Sequence, residues 1–299
     1  MMNRVTIVTP TYNRGYIIHR LIESILAQTD HRFSWLVIDD GSTDNTSSVF
    51  NDFQNKNLPF QFRYVRIDNG GKQRAVNLAV SMVDTEYVFI VDSDDYLLPD
   101  AVVKINQWIN DGEIDENYAG VSGVKGTDPQ TSVSGKEIHF PNGYIDATNL
   151  ERSQYGLSED MAEVYRTDIL REYPFDVFPG EKFVPEATVW DQIAYDGYKL
   201  RWHEDIIYIC EYLTDGLTKQ SWKLMRDNPI GYARLFNTQI KCHKNANWKT
   251  ILQMTTQLIL GQHWKYIFRS NAPVKAFICT PAAYLLSKRR KRQYQQYIK

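Results

Sequence analysis

Tyr87-Val88-Phe89-Ile90-Val91-Asp92-Ser93-Asp94-Asp95-Tyr96-Leu97-Leu98-Pro99 is the stretch whose reading decides the rest of the chain. Tyr87 to Val91 are apolar and largely β-favouring, the pattern of a strand buried on both faces. The run stops at three carboxylates within four positions, Asp92, Asp94 and Asp95. Like charges packed this densely repel one another unless something positive sits among them. Asp92 and Asp94 are two apart on an extended chain and can point the same way. Oxygen ligands of this kind suit a hard divalent cation, Mg²⁺ or Mn²⁺. The competing reading is an acidic turn before a helix, with Asp95 as its cap and Pro99 near the first turn. Short acidic motifs match by chance often enough that the flanking chain has to decide.

Working outward, Val5 to Thr9 is a β-branched strand ended by Pro10 in Thr9-Pro10-Thr11-Tyr12-Asn13-Arg14. From Gly15 the spacing turns helical, with Ile18, Leu21, Ile22, Ile25 and Leu26 on one face. Phe33 to Ile38 is a second buried strand, and it too ends in acid, Asp39-Asp40-Gly41-Ser42-Thr43-Asp44. Thr43 or Asp44 is the predicted N-cap of the helix that follows. Phe62 to Ile67 is a third strand, after which Asn69-Gly70-Gly71-Lys72 opens a helix carrying Ala75, Leu78, Ala79 and Met82. A further helix runs from Pro99 to Asn110. Four strand and helix alternations over about 110 residues predict a doubly wound, mostly parallel sheet. Such sheets bind ligands at the carboxyl ends of their strands, where Tyr12, Asp39, Lys72 and Asp92 to Asp95 all fall. For Tyr12, Asp39, Asp40 or Lys72 alone, a packing, turn or surface role is the better reading; their coincidence at adjacent strand ends reverses it. No GxGxxG occurs, and Gly70-Gly71-Lys72 lacks the glycine spacing and the following Ser or Thr of a P-loop.

Past Asp111 the pattern loosens. Tyr118 to Val124 reads as a strand, Gly126 to Gly135 as a loop, and Ala162 to Tyr165 as a strand leading into a helix over Thr167 to Tyr173. An amphipathic helix with Val189, Trp190, Ile193 and Ala194 follows Pro185-Glu186. Lys199 to Cys210 reads as strands with His203-Glu204-Asp205 as a turn, and Tyr212 to Thr218 as a polar loop.

The 299 residues are 43% hydrophobic and 23% charged, an ordinary globular composition. The net charge of −2 hides a division at Trp222. Residues 1–222 carry 19 Lys and Arg against 35 Asp and Glu, whereas residues 223–299 carry 15 against the single acid Asp227. The two parts therefore face different partners. Cys210, Cys242 and Cys279 are far apart, odd in number and without metal spacing, which reads as free thiols in a reducing compartment. The chain enters its first strand with no apolar leader, and no run reaches the roughly 18 apolar residues of a spanning helix. The expectation is a cytoplasmic protein, in solution or peripheral on the cytosolic face of a membrane.

The ordered set Thr9-Pro10-Thr11-Tyr12-Asn13-Arg14, Val37-Ile38-Asp39-Asp40-Gly41-Ser42-Thr43-Asp44, Gly71-Lys72 with Ala75 and Asn77, and Val91-Asp92-Ser93-Asp94-Asp95 resembles family 2 glycosyltransferases of the GT-A fold. The resemblance covers roughly residues 3–220. It implies an enzyme that takes a sugar from a nucleoside-diphosphate donor, UDP-linked by expectation, with inversion at the anomeric carbon. It also implies that Pro10, Tyr12 and one of Asp39 and Asp40 hold the nucleobase, with Arg14 in the same donor-binding set and Lys72 near the diphosphate or base. Asp92-Ser93-Asp94 matches the family's DxD element, which grips ribose and metal. Because the aspartate is doubled, either Asp94 or Asp95 touches the Mn²⁺ or Mg²⁺. An inverting transfer needs a carboxylate to take the acceptor's proton. The family supplies it from a Glu-Asp pair before a helix, but here Pro185-Glu186-Ala187 keeps the glutamate and has alanine beside it. Glu186 is the first choice as base and Asp191 the second.

The expected architecture is thus an α/β GT-A domain over residues 1–222 and a basic, mainly helical extension over 223–299. The expected acceptor is a glycan or a lipid-linked glycan in surface polysaccharide synthesis. Competing readings are a sugar nucleotidyltransferase and a non-catalytic nucleotide-sugar binding protein. The extension combines aromatics at helical intervals with Ser287-Lys288-Arg289-Arg290-Lys291-Arg292, which reads as a surface for an anionic membrane. No nucleic-acid motif is present, so nucleic acid is not an expected partner.

Overall fold

The computed structural model describes residues 3–111, 114–211, 221–243 and 247–297. The predicted loop at Tyr212 to Thr218 lies outside them. The chain divides into two compact units, one of 1–174 with 196–211 and one of 175–195 with 212–299. This division groups residues 175–195 with the C-terminal helices, unlike a single cut after residue 222.

The first unit is built on one sheet. Its opening half is β1 (Val5–Thr11), α1 (His19–Leu26), β2 (Phe33–Asp39), α2 (Thr46–Phe53), β3 (Gln61–Arg66), α3 (Lys72–Met82) and β4 (Tyr87–Ile90). It continues through β5 (Tyr96–Leu97), α4 (Ala101–Asn110), β6 (Tyr118–Asp128), β7 (Thr131–Ser132), β8 (Tyr144–Ala147), β9 (Met161–Arg166), α5 (Thr167–Glu172) and β10 (Lys199–Ile209). The sheet order is β3-β2-β1-β4-β9-β6-β10-β5, with β7 beside β6 and β8 beside β10. β1 pairs in parallel with both β2 and β4, and β2 with β3. β9 enters antiparallel between β4 and β6. The chain leaves β1 toward β3 and returns to β4 on the other side, so the strand order reverses between β1 and β4. That reversal opens a crevice at the carboxyl ends of these two strands.

The periodic residues do what their spacing predicts. Every residue of β1 is buried, and α1 turns Leu21, Ile22 and Ile25 into the core. On the outer strand β3, Phe62 lies 5.1 Å from Trp35 and Tyr64 5.3 Å from Phe50, ring centre to ring centre, while Gln61, Arg63 and Arg66 face solvent and blunt the edge. Aromatic contacts of this spacing add to the area term that holds the edge down.

One competing reading falls and three local expectations are corrected. Asp95 does not cap a helix: it precedes β5, and α4 begins only at Ala101. α2 starts at Thr46 rather than directly after Thr43 or Asp44, although the Asp44 carboxylate accepts from the Thr46 N–H at 3.0 Å. The predicted loop from Gly126 instead extends β6 to Asp128 and folds back through β7. The predicted turn at His203-Glu204-Asp205 is an irregularity inside the continuous β10, where the register against β6 shifts between Trp202 and Ile206. Tertiary partners account for the last case. His203 stacks on Trp108 with ring centres 4.1 Å apart, Glu204 accepts from the Phe140 N–H at 2.6 Å, and Asp205 pairs with Lys104 at 3.0 Å.

His203 is 5% exposed, and burial pushes its imidazole down to about 4. The unfolded chain takes up this proton near pH 6.5, whereas the folded chain refuses it until about pH 4. The contribution of His203 to folding stability is therefore complete above pH 6.5 and falls as the pH drops through that window. By pH 5 the loss from this residue is on the order of 2 kcal/mol. Urea midpoints of the wild type and of His203→Phe at pH 7.5 and 5 should show a shallower pH dependence in the variant; equal slopes would exclude the assignment.

The second unit holds α6 (Ala187–Tyr195), α7 (Ser221–Asp227), α8 (Pro229–Cys242), α9 (Trp248–Leu260) and α10 (Pro273–Tyr297). Its core is made by Ala233, Ile240, Ile251, Met254, Leu258, Ile267 and Ala276. Among the described residues, no helix is long and apolar enough to cross a membrane.

Candidate active site

The loops after β1, β2 and β3 are tied together before any ligand is considered. Asn13 sits at φ 51°, a left-handed conformation that asparagine tolerates. Its N–H donates to the Ser42 Oγ at 2.9 Å, and its Oδ1 accepts from the Thr43 N–H at 2.7 Å. The Arg14 N–H donates to the Thr46 Oγ1 at 2.9 Å.

Asp39 is fully buried; its Oδ1 accepts from the Ser42 N–H at 2.8 Å, and its Oδ2 from Ser47 Oγ at 2.9 Å and Tyr64 Oη at 2.6 Å. The neighbouring Asp40 reaches across to the next loop, where its carboxylate accepts from the N–H groups of Gly70 at 2.7 Å and Gly71 at 2.8 Å. Gly71 stands at φ 98° immediately before α3, and a Cβ on Gly41 would come within 2.7 Å of the Asn69 nitrogen. Both glycines are required for these loops to close on each other. The two acids thus work as braces, since a buried carboxylate is stable only with such donors around it.

The carboxylates after β4 lie in the crevice between β1 and β4. Lys72, the first residue of α3, places its Nζ 2.5 Å from Asp92, and Arg14 places Nη2 3.3 Å from Asp94. Burial pushes the Asp92 carboxyl up, but Lys72 and Lys125 outweigh it and hold the group below the usual carboxylate range. Burial and the adjacent Asp92 raise Asp94, with Arg14 opposing. Asp95 turns inward: its Oδ2 accepts from Tyr208 Oη at 2.6 Å and its Oδ1 from the Glu211 N–H at 3.4 Å. Burial, followed by the charge on Asp92, pushes Asp95 up to about 7. Tyr208 is shared, since its oxygen also accepts from the Asp92 N–H at 3.0 Å.

The first unit therefore brings together Arg14, Lys72, Asp92, Asp94 and Asp95. Pro10 and Ser93 are buried beside them in the chain, and Tyr12 stands 45% exposed after β1. Two neighbours of the carboxylates escaped the sequence reading. Lys125 on β6 lies over the Tyr208 ring, 4.4 Å from its centre. Burial would lower its ammonium, but Asp92, Glu163 and Asp95 outweigh that and raise it. A lysine inside the apolar run Val121 to Gly126 was the available signal. Tyr208 gave none, because a phenol within Ile206 to Cys210 looks like ordinary core.

Among the described residues, no three His, Cys, Asp or Glu side chains form a complete metal-ligand set. Asp92 and Asp94 nevertheless fit Mg²⁺ or Mn²⁺, which commonly bind one or two carboxylates and complete their shell with substrate phosphates and water. Both side chains retain exposure, 31% and 21%, so their oxygens can be reached.

In the second unit Glu186 directly precedes α6, and its carbonyl accepts from the Val189 N–H at 2.8 Å and the Trp190 N–H at 3.2 Å. Glu186 is half-buried. Asp191 on the same helix is 6% exposed, with a carboxylate oxygen 3.7 Å from His243 Nε2.

Residues 6–172 match the family profile "Glycosyl transferase family 2". The poly(ribitol-phosphate) β-N-acetylglucosaminyltransferase TarS of Staphylococcus aureus is 28% identical over 197 residues, 65% of this chain. That match spans 33% of the relative's own length, so this chain corresponds to about a third of it. The crystal structure of S. aureus TarS 1-349 in complex with UDP-GlcNAc superposes with a TM-score of 0.61 at 17% identity, covering 97% of this chain and 92% of the other. The mannosyltransferase PcManGT from Pyrobaculum calidifontis, in complex with GDP-Man and Mn²⁺, superposes with a TM-score of 0.60 at 19% identity over 98% and 83%. At these identities the likeness is one of fold, the GT-A glycosyltransferase fold.

Proposed function

Because the chain belongs to glycosyl transferase family 2, we propose that it moves a sugar from a UDP-sugar, with inversion, to a hydroxyl of a glycan or lipid-linked acceptor in surface polysaccharide synthesis. The observation that carries this is the pairing of Asp92 with Lys72 and of Asp94 with Arg14 at the mouth between β1 and β4. Two carboxylates and two cations at one crevice suit a diphosphate accompanied by a divalent ion. The TarS structure with UDP-GlcNAc and the poly(ribitol-phosphate) in the name of TarS support the donor and acceptor class. PcManGT with Mn²⁺ supports the ion.

In this reading Asp92 and Asp94 hold Mn²⁺ or Mg²⁺, while Asp95, held inward by Tyr208, fixes the turn that presents them. When bound, the ion supplies charge stabilisation to the leaving diphosphate. Lys72 and Arg14 add positive charge on the same side and orient the phosphates. Pro10 and Tyr12 form the wall against the base, with Asp39 and Asp40 bracing its loops. Glu186 takes the proton from the acceptor hydroxyl. Its half-exposed place at the start of a helix suits that role better than the buried Asp191. The basic segment 223–299 holds the enzyme at the cytosolic face of an anionic membrane, where a lipid-linked acceptor resides.

A donor screen by thermal shift tests the binding half. A UDP-sugar with Mn²⁺ at a hundredfold excess over Kd should stabilise the fold by about 2.7 kcal/mol, a Tm rise on the order of 5 °C. The shift should shrink in Lys72→Ala and without metal. No shift with any UDP-, GDP- or dTDP-sugar would remove the proposal.

A further inference from the structure

α10 carries two apolar stripes, and only one is covered. Ala276, Ala283 and Ser287 recur at helical spacing and are buried against their own unit. Val274, Ile278 and Leu285 recur at the same spacing on the opposite side and stand 70%, 60% and 70% exposed. Phe277 flanks this outer stripe, and its ring lies 6.1 Å from that of Phe268 in the short 3-10 stretch Trp264–Arg269. Trp264 and Phe268 there are 55% and 59% exposed, so one apolar surface runs from the 3-10 stretch onto α10. An exposed patch of large apolar side chains marks an interaction site.

The charges around it say what covers it. Lys265, Arg269 and Lys275 border the apolar residues, and the outer stripe continues beyond Leu285 into Lys288 and Arg292. The segment's single acid, Asp227, belongs to α7 and pairs with Arg226 at 2.5 Å. A second copy of this face would bring the same cations against these. A protein partner would need an acidic rim around an apolar centre, whereas an anionic bilayer offers both over any area.

We infer that the outer stripe of α10 and the 3-10 stretch Trp264–Arg269 form a membrane-docking face, with Phe268, Phe277, Ile278 and Leu285 entering the headgroup and acyl boundary of an anionic lipid bilayer. This rests on the membrane side of the proposed function and names the surface that performs it. The helix lies in the interface plane, its apolar side chains entering the lipid while Lys288 and Arg292 meet the phosphate layer.

Sedimentation of the full chain with vesicles tests it. The protein should pellet with phosphatidylglycerol–phosphatidylcholine vesicles, stay in solution with phosphatidylcholine alone, and dissociate in high salt. Ile278→Asp with Leu285→Asp should cut the bound fraction at least about tenfold, while Ile278→Leu keeps it. The double variant should retain the wild-type Tm and nucleotide-sugar thermal shift; if its Tm falls, Leu285→Asp alone is the reporter. Vesicle binding unchanged in the Asp variants, no binding by the wild type, or a wild-type dimer by light scattering that the variants break would each overturn the inference. Loss of the donor shift in the wild type would instead count against the transferase reading and leave the docking face standing.

Discussion

Asp94→Asn is expected to lower kcat for sugar transfer by roughly a thousandfold, about 4 kcal/mol of transition-state stabilisation. The substitution keeps the side chain's shape and removes its charge. Asp94 is partly exposed and faces Arg14 at 3.3 Å, so asparagine can still accept from the guanidinium. The fold should therefore tolerate the change, and relief of the repulsion from Asp92 should offset part of any loss. What does not survive is paired anionic ligation of a divalent ion, because of the two carboxylates assigned to the ion only Asp92 then keeps its charge. Steady-state turnover with Mn²⁺ titrated at each substrate concentration measures this directly. The expected variant needs much more Mn²⁺ and still has a low kcat at saturation. An Asp94→Asn enzyme with wild-type kcat and metal dependence would remove Asp94 from the donor grip.

Glu186→Gln is expected to reduce kcat by a hundred- to ten-thousandfold while leaving the UDP-sugar thermal shift unchanged, the signature of a lost general base. The amide preserves the size of the side chain at the start of α6. Asp191→Asn serves as the comparison. Asp191 is 6% exposed and faces His243 at 3.7 Å, so its replacement should act mainly on stability, with kcat within about tenfold of wild type. The opposite outcome would move the base to Asp191.

Much of the fold could be read from the chain because its signals are local. Alternation of β-branched runs with helical spacing over β1 to α4 marks a doubly wound sheet, and acids stopping apolar runs mark the strand ends. Where the reading failed, distant partners had overridden local character. His203-Glu204-Asp205 is polar enough to pass for a turn, yet Trp108, the Phe140 N–H and Lys104 keep it inside β10. Asp95, for which a helix cap was the competing reading, is turned inward by Tyr208, 113 residues away.

By itself, then, the sequence determined the chemistry at the strand ends and the order in which it appears, because strand and helix periods and the like charges of Asp92, Asp94 and Asp95 are properties of neighbouring residues. Only the tertiary structure decided which charges neutralise which. Lys72 and Arg14 reach Asp92 and Asp94 because β4 returns beside β1, and Lys125 joins them because β9 enters antiparallel between β4 and β6. The same holds for α10. Both of its stripes are apolar, and packing against α9 and the 3-10 stretch Trp264–Arg269 determined which stripe is buried and which is left exposed.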